Sequence, residues 1–189
     1  DSCMFETESP SFISATDMSA SIVVASVNGI DADMPDTTRI SDCMFADMAD
    51  GSKNHCGIAI LGGCASISGC TFRRQGNYGI WLSPVNSIID GSSVIGCTIL
   101  HDDGKWSVLV FNESVSSLHV NGVVVSGNTV RGSIATVGIA AYSDSATMDT
   151  NFVSICDNYV EAVGGIGVWL KAGAGAFVNS CLVDGNILK

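Results

Sequence analysis

The chain has 189 residues, 47% hydrophobic and 14% charged, with 21 glycines and 3 prolines. Its formal net charge of −11, from 8 Lys and Arg against 19 Asp and Glu, argues against a nucleic-acid partner. It also disfavours a strongly anionic polysaccharide unless local bases compensate. None of its apolar runs is long enough to span a membrane as a helix, so no membrane insertion is expected.

One phrase recurs along the chain. It reads Ser2-Cys3-Met4-Phe5, then Asp42-Cys43-Met44-Phe45, Gly69-Cys70-Thr71-Phe72 and Gly96-Cys97-Thr98-Ile99. It continues as Gly127-Asn128-Thr129-Val130, Asp157-Asn158-Tyr159-Val160 and Gly185-Asn186-Ile187-Leu188. The second position, here termed the key, is Cys in the first four copies and Asn in the last three, at spacings of 40, 27, 27, 31, 30 and 28 residues. A unit of this length repeated along the whole chain predicts stacked coils in place of a single globular core. Six intervals at about 4.8 Å per coil make a stack roughly 29 Å tall.

Apolar residues alternate around each key. Val123 and Val125 precede Asn128, Val153 and Ile155 precede Asn158, and Cys181 and Val183 precede Asn186. Phe5, Phe45, Phe72, Ile99, Val130, Val160 and Leu188 stand two residues after the keys. A period of two places these side chains on one face of extended chain. About ten residues after most keys comes a third extended piece: Gly57-Ile58-Ala59-Ile60, Gly79-Ile80-Trp81-Leu82, Ser107-Val108-Leu109-Val110, Gly138-Ile139-Ala140-Ala141 and Gly167-Val168-Trp169-Leu170. The expectation is an all-β solenoid of about six to seven coils, each of three short strands joined by Gly-, Ser-, Asn- and Asp-bearing turns. One β-helix domain covers 1–189, with an irregular first coil over 1–40 and regular coils over 41–189. No capping helix is apparent at either terminus, so the expectation is a segment of a longer protein or a chain capped by its neighbours.

The phrases Val-Ser-Gly-Asn-Thr-Val (125–130) and Val-Asp-Gly-Asn-Ile-Leu (183–188) resemble the turn motif of the pectate-lyase-like right-handed parallel β-helix superfamily. Within it the chain is most like a segment of a bacteriophage tail spike or tail fibre. The resemblance implies an internal ladder of stacked Asn side chains. Cys3, Cys43, Cys70, Cys97, Asn128, Asn158 and Asn186 are therefore read as one structural column. An Asn amide has two donors and an acceptor and can satisfy itself in a buried stack. Cys is small and polarizable and packs well there. Stacked cysteines point the same way, which suits a disulfide poorly. Buried free thiols are expected, with folding in a reducing cytosol. No close Cys-x-x-Cys pair occurs and the three histidines do not cluster with cysteine, so no metal and no cofactor are expected.

Candidate chemistry lies on the Gly-Ile strands. Their expected outward column is Ala59, Trp81, Leu109, Ala140 and Trp169. In the superfamily the equivalent outer face resembles a polysaccharide groove, and flat aromatic rings stack on sugars. Trp81, Trp169, Tyr142, Arg73 and Arg74 are the candidate substrate-binding residues. An apolar stripe serves equally as a trimer interface or as ground under a covering loop. The column holds no Asp, Glu, Lys or Arg, so the superfamily's catalytic positions do not carry over. The flanking turns supply Asp102, Asp103, Asp144 and Glu161 as candidate catalytic carboxylates, since glycoside hydrolysis needs two; Asp residues also serve turn geometry alone. Two function classes remain. One is a trimeric viral tail spike or fibre segment that recognises host polysaccharide or acts as scaffold on the virion. The other is a secreted polysaccharide lyase or glycoside hydrolase.

Overall fold

The computed structural model describes residues 3–6, 12–13, 18–24, 38–46, 54–73, 78–85, 88–101, 106–112, 118–132, 137–143, 149–162 and 165–189. The secondary structure of these residues is strand, with no helix among them. The strands form four sheets that wrap a single core.

Sheet 1 carries the strands that follow the keys: Cys3–Glu6, Cys43–Ala46, Thr71–Arg73, Thr98–His101, Thr129–Gly132, Tyr159–Ala162 and Ile187–Leu188. Sheet 2 carries the Gly-Ile strands: Asn54–Ile60, Tyr78–Leu82, Trp106–Asn112, Val137–Ser143 and Ile166–Ala172, preceded by Met18–Val24 and Phe12–Ile13. Sheet 3 precedes the keys, from Thr38–Ser41 through Ala65–Ser68, Ser93–Ile95, Val124–Ser126 and Ser154–Cys156 to Leu182–Asp184. Neighbouring strands pair in parallel except Phe12–Ile13, which runs antiparallel to Met18–Val24 within the irregular first coil. The expected parallel β-solenoid is the fold found.

The key phrase sets the register. Cys3 pairs with Cys43, Thr71 with Thr98, Thr98 with Thr129, Thr129 with Tyr159 and Tyr159 with Ile187. The column two residues after the key is the core: Phe45, Phe72, Ile99, Val130 and Val160 are fully buried. Phe45 and Phe72 stack with centroids 4.7 Å apart and planes 6° from parallel.

The coil has one side more than expected. A fourth, short sheet is formed by Ile89–Asp90, Val120–Asn121, Asp149–Asn151 and Phe177–Asn179. Four coils therefore carry all four strands. Two or three residues are too few to display a period of two, although Ile89, Val120 and Thr150 do turn one side chain each into the core.

Two local features explain the repeat's spelling. The residue before the key adopts the left-handed conformation, with φ of 55° at Asp42, 62° at Gly69 and 56° at Asp157. Asp and Gly tolerate this region best. The Asp42 carboxylate lies where a Cβ on Gly69 of the next coil would stand, so Asp here requires Gly there. On sheet 2, the Gly of the Gly-Ile step faces the core at a corner. A Cβ at Gly138 would strike the Val160 side chain and the Gly167 carbonyl, and one at Gly57 would come within 2.7 Å of the Phe72 ring. Ser107 fills this place in one coil, fully buried and with its hydroxyl unpaired.

Candidate ligand-binding face

The corner residue fixes which side chains of sheet 2 look outward. After the Gly or Ser, the next residue (Ile58, Ile80, Val108, Ile139) packs inward, fully buried, and the one after it belongs to the outer side. The outer column is not bare. Ala59 and Ala140 are fully buried and Trp81 is 5% exposed, within a second apolar cluster with Cys56, Leu61 and Val137. Tyr78 stacks against Trp81 at 6.1 Å between centroids. The Trp81 indole N–H is buried without a hydrogen-bond partner. Trp81 thus presents almost no ring surface to a ligand, and its place is packing.

Trp169 differs. It is half-buried and sits at the centre of an aromatic group assembled from three successive coils. Trp106 lies 5.4 Å away with planes 13° apart, and Tyr142 lies 6.0 Å away with planes 6° apart. Such separations at small angles describe offset, near-parallel rings. Lys171 stands over this platform, its Nζ 4.7 Å from the Tyr142 centroid and 5.2 Å from that of Trp169. Strand register brings them together: Tyr142 pairs with Lys171, Ala140 with Trp169 and Trp106 with Val137.

Trp169 and Tyr142 were expected on this face, and Trp106 joins them. The missed signal was the corner: Trp106-Ser107-Val108 aligns with Tyr78-Gly79-Ile80, so Trp106 opens a strand on the outer side. Arg73 is exposed on sheet 1, away from the platform. Glu161 is also on sheet 1, where it accepts a hydrogen bond from the Tyr159 hydroxyl at 3.2 Å and pairs with Arg131 Nε at 3.6 Å. It belongs to a polar cluster with its own cation over an aromatic ring, Arg131 at 5.4 Å from the Tyr159 centroid. Asp102, Asp103, Asp144 and Arg74 lie outside the described residues. No group of three or more His, Cys, Asp or Glu among the described residues is arranged to hold a metal ion.

The key column is built as two different devices. Asn128 Nδ2 donates to Asn158 Oδ1 at 2.9 Å, and Asn158 Nδ2 donates to Asn186 Oδ1 at 2.9 Å. Each Oδ1 also accepts a backbone N–H from the preceding coil: Cys97 to Asn128, Asn128 to Asn158 and Asn158 to Asn186, at 2.9–3.0 Å. The second amide proton goes to a carbonyl of the coil before, as from Asn158 to Val125 at 2.9 Å. In the cysteine half three key thiols donate to the carbonyl two residues earlier, Cys43 to Ser41 at 3.2 Å, Cys70 to Ser68 at 3.4 Å and Cys97 to Ile95 at 3.7 Å. The contact between Cys97 and Cys70 holds the Cys70 thiol down, to about 7, and pushes that of Cys97 up, where burial adds to the effect. The seven described cysteines are free.

Comparison with known families agrees with this architecture. A family model described as a right-handed beta helix region matches residues 28–188. Searches of curated proteins and of solved structures gave no match.

Proposed function

Since the chain belongs to the right-handed β-helix family, which by itself leaves function open, we propose that it is a segment of a viral tail spike or fibre that binds host-surface polysaccharide. The observation that carries this reading is the half-exposed platform of Trp106, Tyr142 and Trp169 on the outer side of sheet 2. Near-parallel, partly exposed aromatic rings offer apolar surface of the kind a pyranose stacks on. Seven free cysteines, several of them buried, fit folding in a reducing cytosol before assembly into a virion tail. A homotrimer is the assembly inferred for such a segment.

The test is retention of capsular or lipopolysaccharide preparations by the protein. Wild type should retain at least one of them, and Trp169→Ala should weaken it by roughly tenfold, the order of one well-stacked aromatic contact. Retention unchanged in both Trp169→Ala and Trp106→Ala overturns the reading. Shortened glycan chains after incubation would instead favour the lyase or hydrolase class. A monomeric mass in solution would contradict the trimer.

A further inference from the structure

Among the described residues, Phe152 is the bulky side chain held in the left-handed conformation, with φ of 53°. It stands six residues before its key, where the two preceding coils have Gly91 and Gly122 at φ of 71° and 65°. Glycine takes this conformation without strain, and a large side chain does not. The Phe152 side chain is also 62% exposed. Strain and exposed apolar surface are both unfavourable in an isolated chain, and outliers of this kind mark sites with a task.

Phe152 does not stand alone. Outside the last coil, four large apolar side chains of the described residues are exposed: Val85, Ile95, Val124 and Phe152. Three of these form a line. Ile95 lies two residues before its key, Val124 four before the next key and Phe152 six before the one after. Sheet 3 holds these coils in register, Ser93 beside Val124 and Val124 beside Ser154. The three side chains therefore run as a diagonal ridge across the outer side of sheet 3. The outer positions around the ridge are small and uncharged: Ser93, Ser126, Ser154 and Cys156. Among the described residues, charge on this side is confined to the ends of the sheet, at Arg39 and Asp184. The other sheets carry charge along their length, as at Arg131 and Glu161 on sheet 1, Lys171 on sheet 2 and Asp90 and Asp149 on sheet 4. In a chain of net charge −11, an uncharged face is where like copies meet without repulsion, and the centres of protein interfaces are depleted of charge.

We propose that the outer side of sheet 3 is a self-association surface, on which copies of this chain stand side by side about an axis parallel to the solenoid. The proposal rests on the homotrimer reading above for its partner, a second copy. Such an axis keeps every coil at its level and reverses left and right across the contact. The flank two residues before a key then meets the flank six residues before the same key on the neighbour. Large residues meet small ones. Ile95 meets Gly91 of the partner subunit, Phe152 meets the partner's Cys156, and Val124 meets its own counterpart at the axis. Sulfur against an aromatic ring is a favourable contact.

The experiment is sedimentation of wild type, Val124→Asp and Phe152→Gly over a range of concentrations. Wild type should associate. Val124→Asp sets like charges together at the axis and should be monomeric where wild type is associated. Phe152→Gly should weaken association by about tenfold or more, the order of one interface aromatic. Its unfolding midpoint, read at a dilution where both proteins are dissociated, should stay equal or rise, because glycine relieves the strain and keeps the backbone N–H that bonds Asn179. A midpoint that falls with association unchanged would make Phe152 a part of the fold alone and overturn the proposal. A monomeric wild type would overturn both the surface and the trimer. An oligomer that survives both variants would overturn the surface and leave the trimer standing. A dimer lost in both variants would keep the surface and remove the trimer. Glycan retention lost in Phe152→Gly at unchanged mass would assign the ridge to the ligand and overturn the self-contact.

Discussion

The cysteine half and the asparagine half of this solenoid solve the same cross-section in opposite ways. Around Cys43 and Cys70 the key is a small thiol, and the core column beside it is filled by the stacked rings of Phe45 and Phe72. Around Asn128 and Asn158 the key is a larger polar amide, and the same column shrinks to Val130 and Val160. One half holds successive coils together with apolar volume. The other does so with a continuous ladder that ties side chain to side chain and side chain to backbone. The aromatic platform lies across the ladder half and its border, since Tyr142 follows Asn128, Trp169 and Lys171 follow Asn158, and Trp106 follows Cys97. Directional hydrogen bonds fix the spacing of the coils that must align those rings.

The largest expected effect is in the cysteine half. Phe72→Ala should cost about 3–5 kcal/mol, as loss of a fully buried aromatic does, against about 2 kcal/mol for Val130→Ala, both read from the midpoint of urea unfolding. Equal costs would mean that the two halves share one packing mechanism. Next is Asn158→Ala. It strips the acceptor from the Asn128 amide and backbone N–H and the donor from Val125 and Asn186. Asn186 Oδ1 keeps the Asn158 backbone N–H, so three groups are left short; at the lower end of the about 1–3 kcal/mol that a buried unpaired group costs, a loss of about 3 kcal/mol is expected. Cys97→Ala, which removes one weak donor and little volume, should cost about 1 kcal/mol.

Stability should also depend on alkaline pH, mainly through the cysteine half. Burial pushes the Cys56 thiol up from its ordinary value of 9.0. Below about pH 9 that thiol is protonated in folded and unfolded chains alike. Above it the unfolded chain gives up the proton first, the folded state then binds more protons, and stability falls. The slope is about 1.4 kcal/mol per pH unit for each such thiol. Cys70, held at about 7, acts in the other direction. Its folded form ionises first, so it adds stability as pH rises from about 7 to 9. The unfolding midpoint measured between pH 9 and 10 should fall less steeply in Cys56→Ala than in wild type. Parallel slopes would show that this thiol ionises freely in the folded protein.

The sequence made the register legible because a fixed phrase and a period of two act together. A shift of one residue would expose Phe45, Phe72 and Val130 in a single step. Inward columns therefore followed from the key without knowledge of the turns. The fourth sheet escaped because Val120–Asn121 and its equivalents are too short to show a period. The burial of Trp81 escaped for another reason. Alternation tells which side of a strand a residue takes, and nothing about what lies over that side. Trp106 was missed because Ser107 replaces the Gly that marks the corner elsewhere, although the next residues, Val108 to Val110, keep the pattern. The place of Lys171 over two rings depends on side-chain direction across two coils, which no pattern in the sequence displays.

The most direct test of the two-device account is a double-mutant cycle on the key column, Cys70→Asn, Cys97→Asn and both together, read from unfolding midpoints. An Asn at 97 can donate to Asn128 Oδ1, already aligned below it, and extend the ladder by one rung. An Asn at 70 alone meets the Cys97 thiol, which offers no carbonyl oxygen, so a buried amide is left half-satisfied. The account predicts that Cys97→Asn stays within about 1 kcal/mol of wild type, that Cys70→Asn loses about 2 kcal/mol, and that the double variant recovers at least half of that loss. Equal losses for the two single variants that simply add in the double would contradict it.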